Sequence, residues 1–163
     1  MRERQAARER RRAREFEAFV GGAGGRLLRA AVLLTGENGQ TGETGKNSLT
    51  GAGPHEAAER LLTAALADTY ACWDRLRGED PYEHARQELA ARFARSARRY
   101  RRTHGALEQL APRERLVLVL RLHEGIAEEQ VAACLGLPTE RVRVLCTRAV
   151  AVLRSRRTPS GVP

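Results

Sequence analysis

IAEEQVAACLGLPTERVRVLCTRA, residues 126–149, is the stretch on which the reading of this chain turns. Two helices that cross at a tight turn need a small residue at the crossing, a residue able to reverse the chain, and apolar residues on both inner sides. Ala132 is small and stands four residues before Gly136, which can take the turn, while Val131, Leu135 and Leu137 flank them as core contacts. Val142 follows six residues after Gly136, and Leu145, Cys146 and Ala149 share its side of the second helix, which Pro138 or Thr139 opens. The spacing therefore predicts a helix at about 127–135, a turn at 136–138 and a longer helix at about 139–154. Arg141, Arg143, Val144, Thr147 and Arg148 are left on the outer side, where a recognition helix faces the major groove and arginine forks meet guanine edges or phosphates. Arg154, Arg156 and Arg157 extend that basic surface.

Upstream, Leu107, Leu110, Leu116, Val117, Leu118, Val119, Leu120 and Leu122 predict a buried helix opened by Pro112 and ended at Gly125. Farther back, Pro81 opens a helix with Tyr82, Ala85, Leu89 and Phe93 on one face. It closes in the basic run Arg92, Arg95, Arg98, Arg99, Arg101 and Arg102, which contains no acid and suits an anionic surface. Leu61, Leu62, Ala65, Leu66, Thr69, Tyr70 and Trp73 predict the strongest amphipathic helix of the first half. Residues 16–34 read as two helical pieces, broken or bent at Gly21, Gly22, Gly24 and Gly25. The domain plan is a charged arm at 1–14, which reads as a helical extension or a basic tail, and a helical domain at 15–102 with a flexible loop at 37–54. A linker at 103–106, a helix-turn-helix domain at 107–157 and a tail at 158–163 follow. No stretch alternates with a period of two, so the fold class is all-α, two small helical domains joined by a short linker.

Composition narrows the function. Lys and Arg number 29 against 20 Asp and Glu, a formal charge of +9, which favours a polyanionic partner. Lys46 is the single lysine, so the positive charge is carried by planar guanidinium forks. Cys72, Cys134 and Cys146 lie far apart with no CxxC pair and read as reduced thiols, so neither a metal nor a cofactor is expected. His55, His84, His104 and His123 are scattered; no Ser/His/Asp set, phosphate loop or paired carboxylates are evident, and the chain does not read as an enzyme. No apolar run reaches the roughly 18 residues of a membrane span, and Met1 to Arg14 is charged, which points to the cytoplasm and away from a membrane partner.

With these segments placed, the chain resembles the small extracytoplasmic-function sigma factors of the sigma-70 kind, especially the actinobacterial ones with a short two-domain body. The resemblance runs from about residue 15 to 155. It rests on RLLRAAVLLTG at 26–36, on Thr69-Tyr70 with Trp73, on Asp80-Pro81-Tyr82, on LAPRERLVLVLR at 110–121 and on the turn motif after it. It implies that residues 15–102 form region 2, which docks on core RNA polymerase and opens the promoter −10 element, and that 107–157 form region 4, which reads the −35 element. It also implies polymerase contacts at Glu59, Leu61 and Leu62, −10 contacts along the basic run Arg92 to Arg102, and an anti-sigma factor as a further partner. The chain departs from the family pattern at Arg60, Thr63 and Ala64 in the clamp-binding stretch, at Ala91 in place of an Asn, and at Ala127 in place of a capping Ser. The alternative is a sigma-like DNA-binding regulator that does not itself initiate transcription.

Overall fold

The computed structural model describes residues 1–37, 55–101 and 107–155. The expected loop (apart from Glu37), linker and tail, together with Arg102, Arg156 and Arg157, lie outside them. Among the described residues there are six α-helices and no strand: α1 (Arg2–Thr35), α2 (Glu56–Cys72), α3 (Pro81–Ser96), α4 (Pro112–Leu118), α5 (Glu128–Leu135) and α6 (Thr139–Ser155). Helices α1 to α3 form the N-terminal unit, and α4 to α6 the C-terminal one.

Helix α1 departs from the expectation of a break: it runs unbroken through Gly21, Gly22, Gly24 and Gly25. Packing on both sides of the glycines accounts for this. Before them, Phe16 meets the rings of Tyr70 and Trp73 at 4.9 and 5.1 Å; beyond them, Leu27, Ala30, Ala31 and Leu34 are buried. Those four positions are spaced three and four apart, so one stripe faces α2 and α3. Gly36 ends the helix in the left-handed region at φ 74°, its N–H donating to the Val32 carbonyl. By length and apolar content α1 alone, among the described residues, would suffice to cross a bilayer, but its apolar stripe is committed to this core.

The glycines themselves are not sterically required. A Cβ on Gly21, Gly22 or Gly25 would meet nothing within 4 Å. Since glycine inside a helix costs about 0.5–1 kcal/mol relative to alanine, the triple variant G21A/G22A/G25A is expected to be about 2 kcal/mol more stable. The check is a higher urea midpoint at unchanged slope; an unchanged or lower midpoint would show that these positions leave the helix in solution.

Helix α2 begins against Glu37, whose carboxylate accepts from the Ala57 and Ala58 amides at 2.9 and 2.8 Å. This side chain caps α2 from across the excursion of the chain and places an anion at the positive end of the helix. Helix α3 is capped locally: the Tyr82 amide donates to Asp80 Oδ1 at 2.9 Å, with Pro81 in the first turn. Ala85, Leu89 and Phe93 are buried, as their spacing predicts, and a tight 3-10 turn at Ala97–Tyr100 follows.

Helix α4 starts at Pro112 and widens at Val119–His123 into one turn of π type, where the Glu124 amide donates to the Val119 carbonyl. Leu116 to Leu120 are buried as expected; Leu122 is not, standing 64% exposed on the widened turn where the helix leaves the core. Leu107 and Leu110 lie in a turn before Pro112, with Leu110 packed near Leu118 and Ala149.

The two units share one core. Leu27, Leu34, Leu89 and Phe93 belong to the same buried cluster as Leu116, Val117, Val131 and Val142. Polar contacts join the units as well. The Glu124 side chain is fully buried, accepts from the Tyr82 hydroxyl at 2.8 Å, and lies 3.6 Å from the Arg26 guanidinium. Burial, followed by that hydrogen bond to a carboxylate, pushes the Tyr82 hydroxyl above its ordinary pKa. Arg115, also fully buried, donates across the junction to the carbonyls of Leu34 and Tyr100.

Candidate nucleic-acid interface

The sharp turn between α5 and α6 is set by Gly136, whose φ of 61° and ψ of 37° place it in the left-handed region that disfavours any side chain. The Leu137 amide then donates back to the Ala132 carbonyl at 2.9 Å, the long closing bond of a glycine-ended helix. Pro138 supplies the carbonyl that receives the Arg141 and Val142 amides, so α6 starts at once. The N-terminus of α5 has no side-chain cap at Ala127, but Glu128 and Glu129 in its first turn favour the helix dipole.

The inner side of the pair is closed by Val131, Ala132, Val142, Leu145 and Ala149, all buried, with Cys146 half-buried beside them. Arg141, Arg143, Val144, Thr147 and Arg148 are all exposed on the opposite side of α6. Val144, 54% exposed, is an apolar patch in an otherwise polar face, of a size suited to a thymine methyl.

Electrostatics make this face less positive than its sequence suggests. Arg143 donates to Glu128 at 3.1 Å and to Glu140 at 2.6 Å, and Arg148 lies 3.1 Å from Glu114. The bond to Glu128 is the largest of the influences that raise the Arg143 pKa further. Arg141 carries no such partner among the described residues. An ion pair with both partners in solvent, as between Arg143 and Glu140, contributes only about 0–1 kcal/mol, so a phosphate or a guanine can displace that carboxylate.

The basic run after Phe93 is arranged differently from the expected helical face. Arg92 is engaged by Asp68 of α2, Nε to Oδ2 at 2.8 Å, an acid that the run itself does not contain. Helix α3 stops at Ser96, so Arg98 and Arg99 sit on the 3-10 turn and Arg101 beyond it, all exposed together with Arg95. Four arginines therefore remain solvent-facing among the described residues, distributed over a corner.

At the expected polymerase contact, Leu61 and Leu62 are 7% and 8% exposed and belong to the core, since they face α1 and α3; only Glu59 is on the surface. Arg60, beside it, pairs with Glu56 at 2.9 Å. The three cysteines are free thiols, and among the described residues no three His, Cys, Asp or Glu side chains converge as metal ligands would.

Sequence reasoning passed over Glu37, Arg115 and the group formed by Arg26, Tyr82 and Glu124. Tyr82 and Arg26 stood inside stretches singled out for other reasons, but no periodicity links positions so far apart.

Residues 106–155 match the family model of sigma-70, region 4, which takes in α4, α5 and α6. No curated protein and no solved structure matches the chain.

Proposed function

We propose, from the premise that residues 106–155 form a sigma-70 region 4-like, DNA-binding helix-turn-helix unit, that the chain is a transcription initiation factor of the extracytoplasmic-function sigma type. In this reading it acts in the cytoplasm, α6 reads the promoter −35 element, and the N-terminal unit joins core RNA polymerase and engages the −10 element. The observation that carries it is the outer face of α6, where Arg141, Arg143, Val144, Thr147 and Arg148 stand together in solvent on a helix held rigidly from behind. Such a face can enter a major groove, with arginine forks for guanine and phosphate and an apolar contact for thymine. The work of such a factor is binding, with no covalent step, so its energy comes from desolvated protein contacts and counterion release from DNA.

A second reading, a DNA-binding regulator that does not initiate transcription by itself, is favoured by the N-terminal unit. With Leu61 and Leu62 in the core, Arg60 paired to Glu56 and Arg92 held by Asp68, several of the side chains expected to meet polymerase and the −10 strand are engaged within the chain, leaving Glu59, Arg95, Arg98, Arg99 and Arg101 in solvent.

Reconstitution distinguishes the two. The purified chain mixed with core RNA polymerase and a panel of promoter fragments is expected to yield promoter-specific run-off transcripts. Specific DNA binding without polymerase association, or association without transcripts, would eliminate the first reading. An anti-sigma factor is a partner that the first reading admits, and it would be sought by its release of the chain from polymerase.

A further inference from the structure

We propose that residues 2–14, the N-terminal part of α1, are a rigid arm that grips the phosphate backbone of duplex DNA without reading its sequence. The segment holds seven arginines against two glutamates, more than half of the formal +9 of the whole chain. It is helical from Arg2 onward and is fixed at its root. There the Arg12 guanidinium lies 4.3 Å from the centre of the Tyr70 ring, donates to the Tyr70 carbonyl, and stands 3.6 Å from Asp74. Phe16, one turn on, is set edge-on against Tyr70 and Trp73.

Beyond that clamp the arm leaves the body. Residues 2–11 are exposed apart from Ala6, and among the described residues their side chains bond within α1, as in Arg11 to Glu15 at 2.7 Å and Arg10 to the Ala6 carbonyl. Ten residues of helix extend about 15 Å, long enough to follow a stretch of backbone on which duplex DNA carries a charge about every 1.7 Å. Arg4, Arg8 and Arg11 line one stripe at spacings of four and three, and Arg10 and Arg14 line another.

Other occupants suit the arm less well. Between Arg2 and Glu15 no apolar side chain is larger than alanine, so there are no knobs for a second helix to enclose and nothing to insert into a bilayer. Guanidinium forks without an apolar face match phosphate oxygens. Because the arm is presented as a preformed helix clamped at its root, little ordering entropy opposes the contact. The inference does not rest on the reading of α6, since it concerns sequence-independent affinity.

The test compares the full chain with R4Q/R8Q/R10Q, which keeps residues of high helix propensity, and with R4K/R8K/R10K. Binding to a duplex of arbitrary sequence is followed by fluorescence anisotropy over a range of salt. The glutamine variant is expected to bind roughly ten- to a hundredfold more weakly near 0.1 M salt, with a log-log salt slope shallower by about 2–3. The lysine variant is expected to keep most of the parent slope, and thermal melting followed by circular dichroism to be unchanged in both. R143Q/R148Q serves as the comparator: it should lose preference among sequences while keeping the arm's share of the slope. The proposal is overturned if the glutamine variant keeps the parent slope, or if the lysine variant loses as much as the glutamine one. It is equally overturned if the loss appears only on single-stranded RNA or only on vesicles of anionic lipid.

Discussion

Arg115→Ala is expected to destabilise the protein by roughly 3–5 kcal/mol, the range for a buried charged group whose partners are left behind. Arg115 is fully buried, and its guanidinium donates to the carbonyls of Leu34 at 2.6 Å, Tyr100 at 3.1 Å and Leu110 at 3.3 Å. Those carbonyls belong to the end of α1, the turn after α3 and the turn before α4, so one side chain ties three separate parts of the chain. None of the three is a carboxylate: the cation is held by peptide dipoles, among them the negative end of α1. Burial lowers its pKa, which shows the cost of desolvation against which these bonds work. Truncation removes up to three charge-assisted hydrogen bonds, leaves buried carbonyls short of a donor and opens a cavity, all of one sign. Arg115→Met should restore roughly half of the loss by refilling the volume without a charge. Urea unfolding followed through Trp73 fluorescence checks this; a loss under about 1 kcal/mol for the alanine variant would mean that the junction is held by its apolar contacts alone.

Arg143→Gln combined with Arg148→Gln is expected to abolish sequence-specific DNA binding while leaving stability within about 0.5 kcal/mol. A good arginine contact to a base discriminates by about 1–3 kcal/mol, so losing two weakens a specific site by thirtyfold or more. The structure adds a second contribution of the same sign. Without the arginines, the exposed Glu140 loses its partner and leaves an uncompensated carboxylate on the face that would meet the phosphates, while Glu128 keeps Arg121 at 4.0 Å and Glu114 stays buried. The small stability change follows from geometry: Arg143 and Arg148 are 53% and 74% exposed, and Glu114 keeps its bond from the Ala111 amide at 3.0 Å. Anisotropy on promoter and unrelated duplexes, with melting as a control, provides the measurement. Unchanged affinity and salt slope would remove α6 from the DNA-facing side.

The turn motif was legible in the sequence because every relation in it is short. Ala132, Gly136 and Val142 lie within eleven residues, and helical periodicity alone sorts Val142, Leu145 and Ala149 inward from Arg141, Val144 and Arg148. The helical faces of α2 and α3, the Pro81 and Pro112 starts and the glycine ends at Gly36 and Gly136 follow from equally local rules. The errors came where a distant partner overrules a local preference. Glycine propensity argued for a break in α1, but aromatic packing before the glycines and the core stripe after them hold the helix through. Arg92 stood in a basic run that contains no acid, and the acid that engages it lies on another helix. Leu61 and Leu62, by contrast, are buried as their spacing on the apolar face of α2 predicts, with α1 and α3 packed over them.

The sequence by itself determined an all-helical chain, the helix-turn-helix near its C-terminus and the five residues on the outer side of α6, because these depend on spacings of three, four and seven. Only the tertiary structure decided that the two units share a core, that Arg115 and Glu124 are sealed at their junction, and that two of the outward arginines already hold carboxylates. Charge and burial are set by whatever folds against a residue from far along the chain, and such neighbours carry no periodic signal.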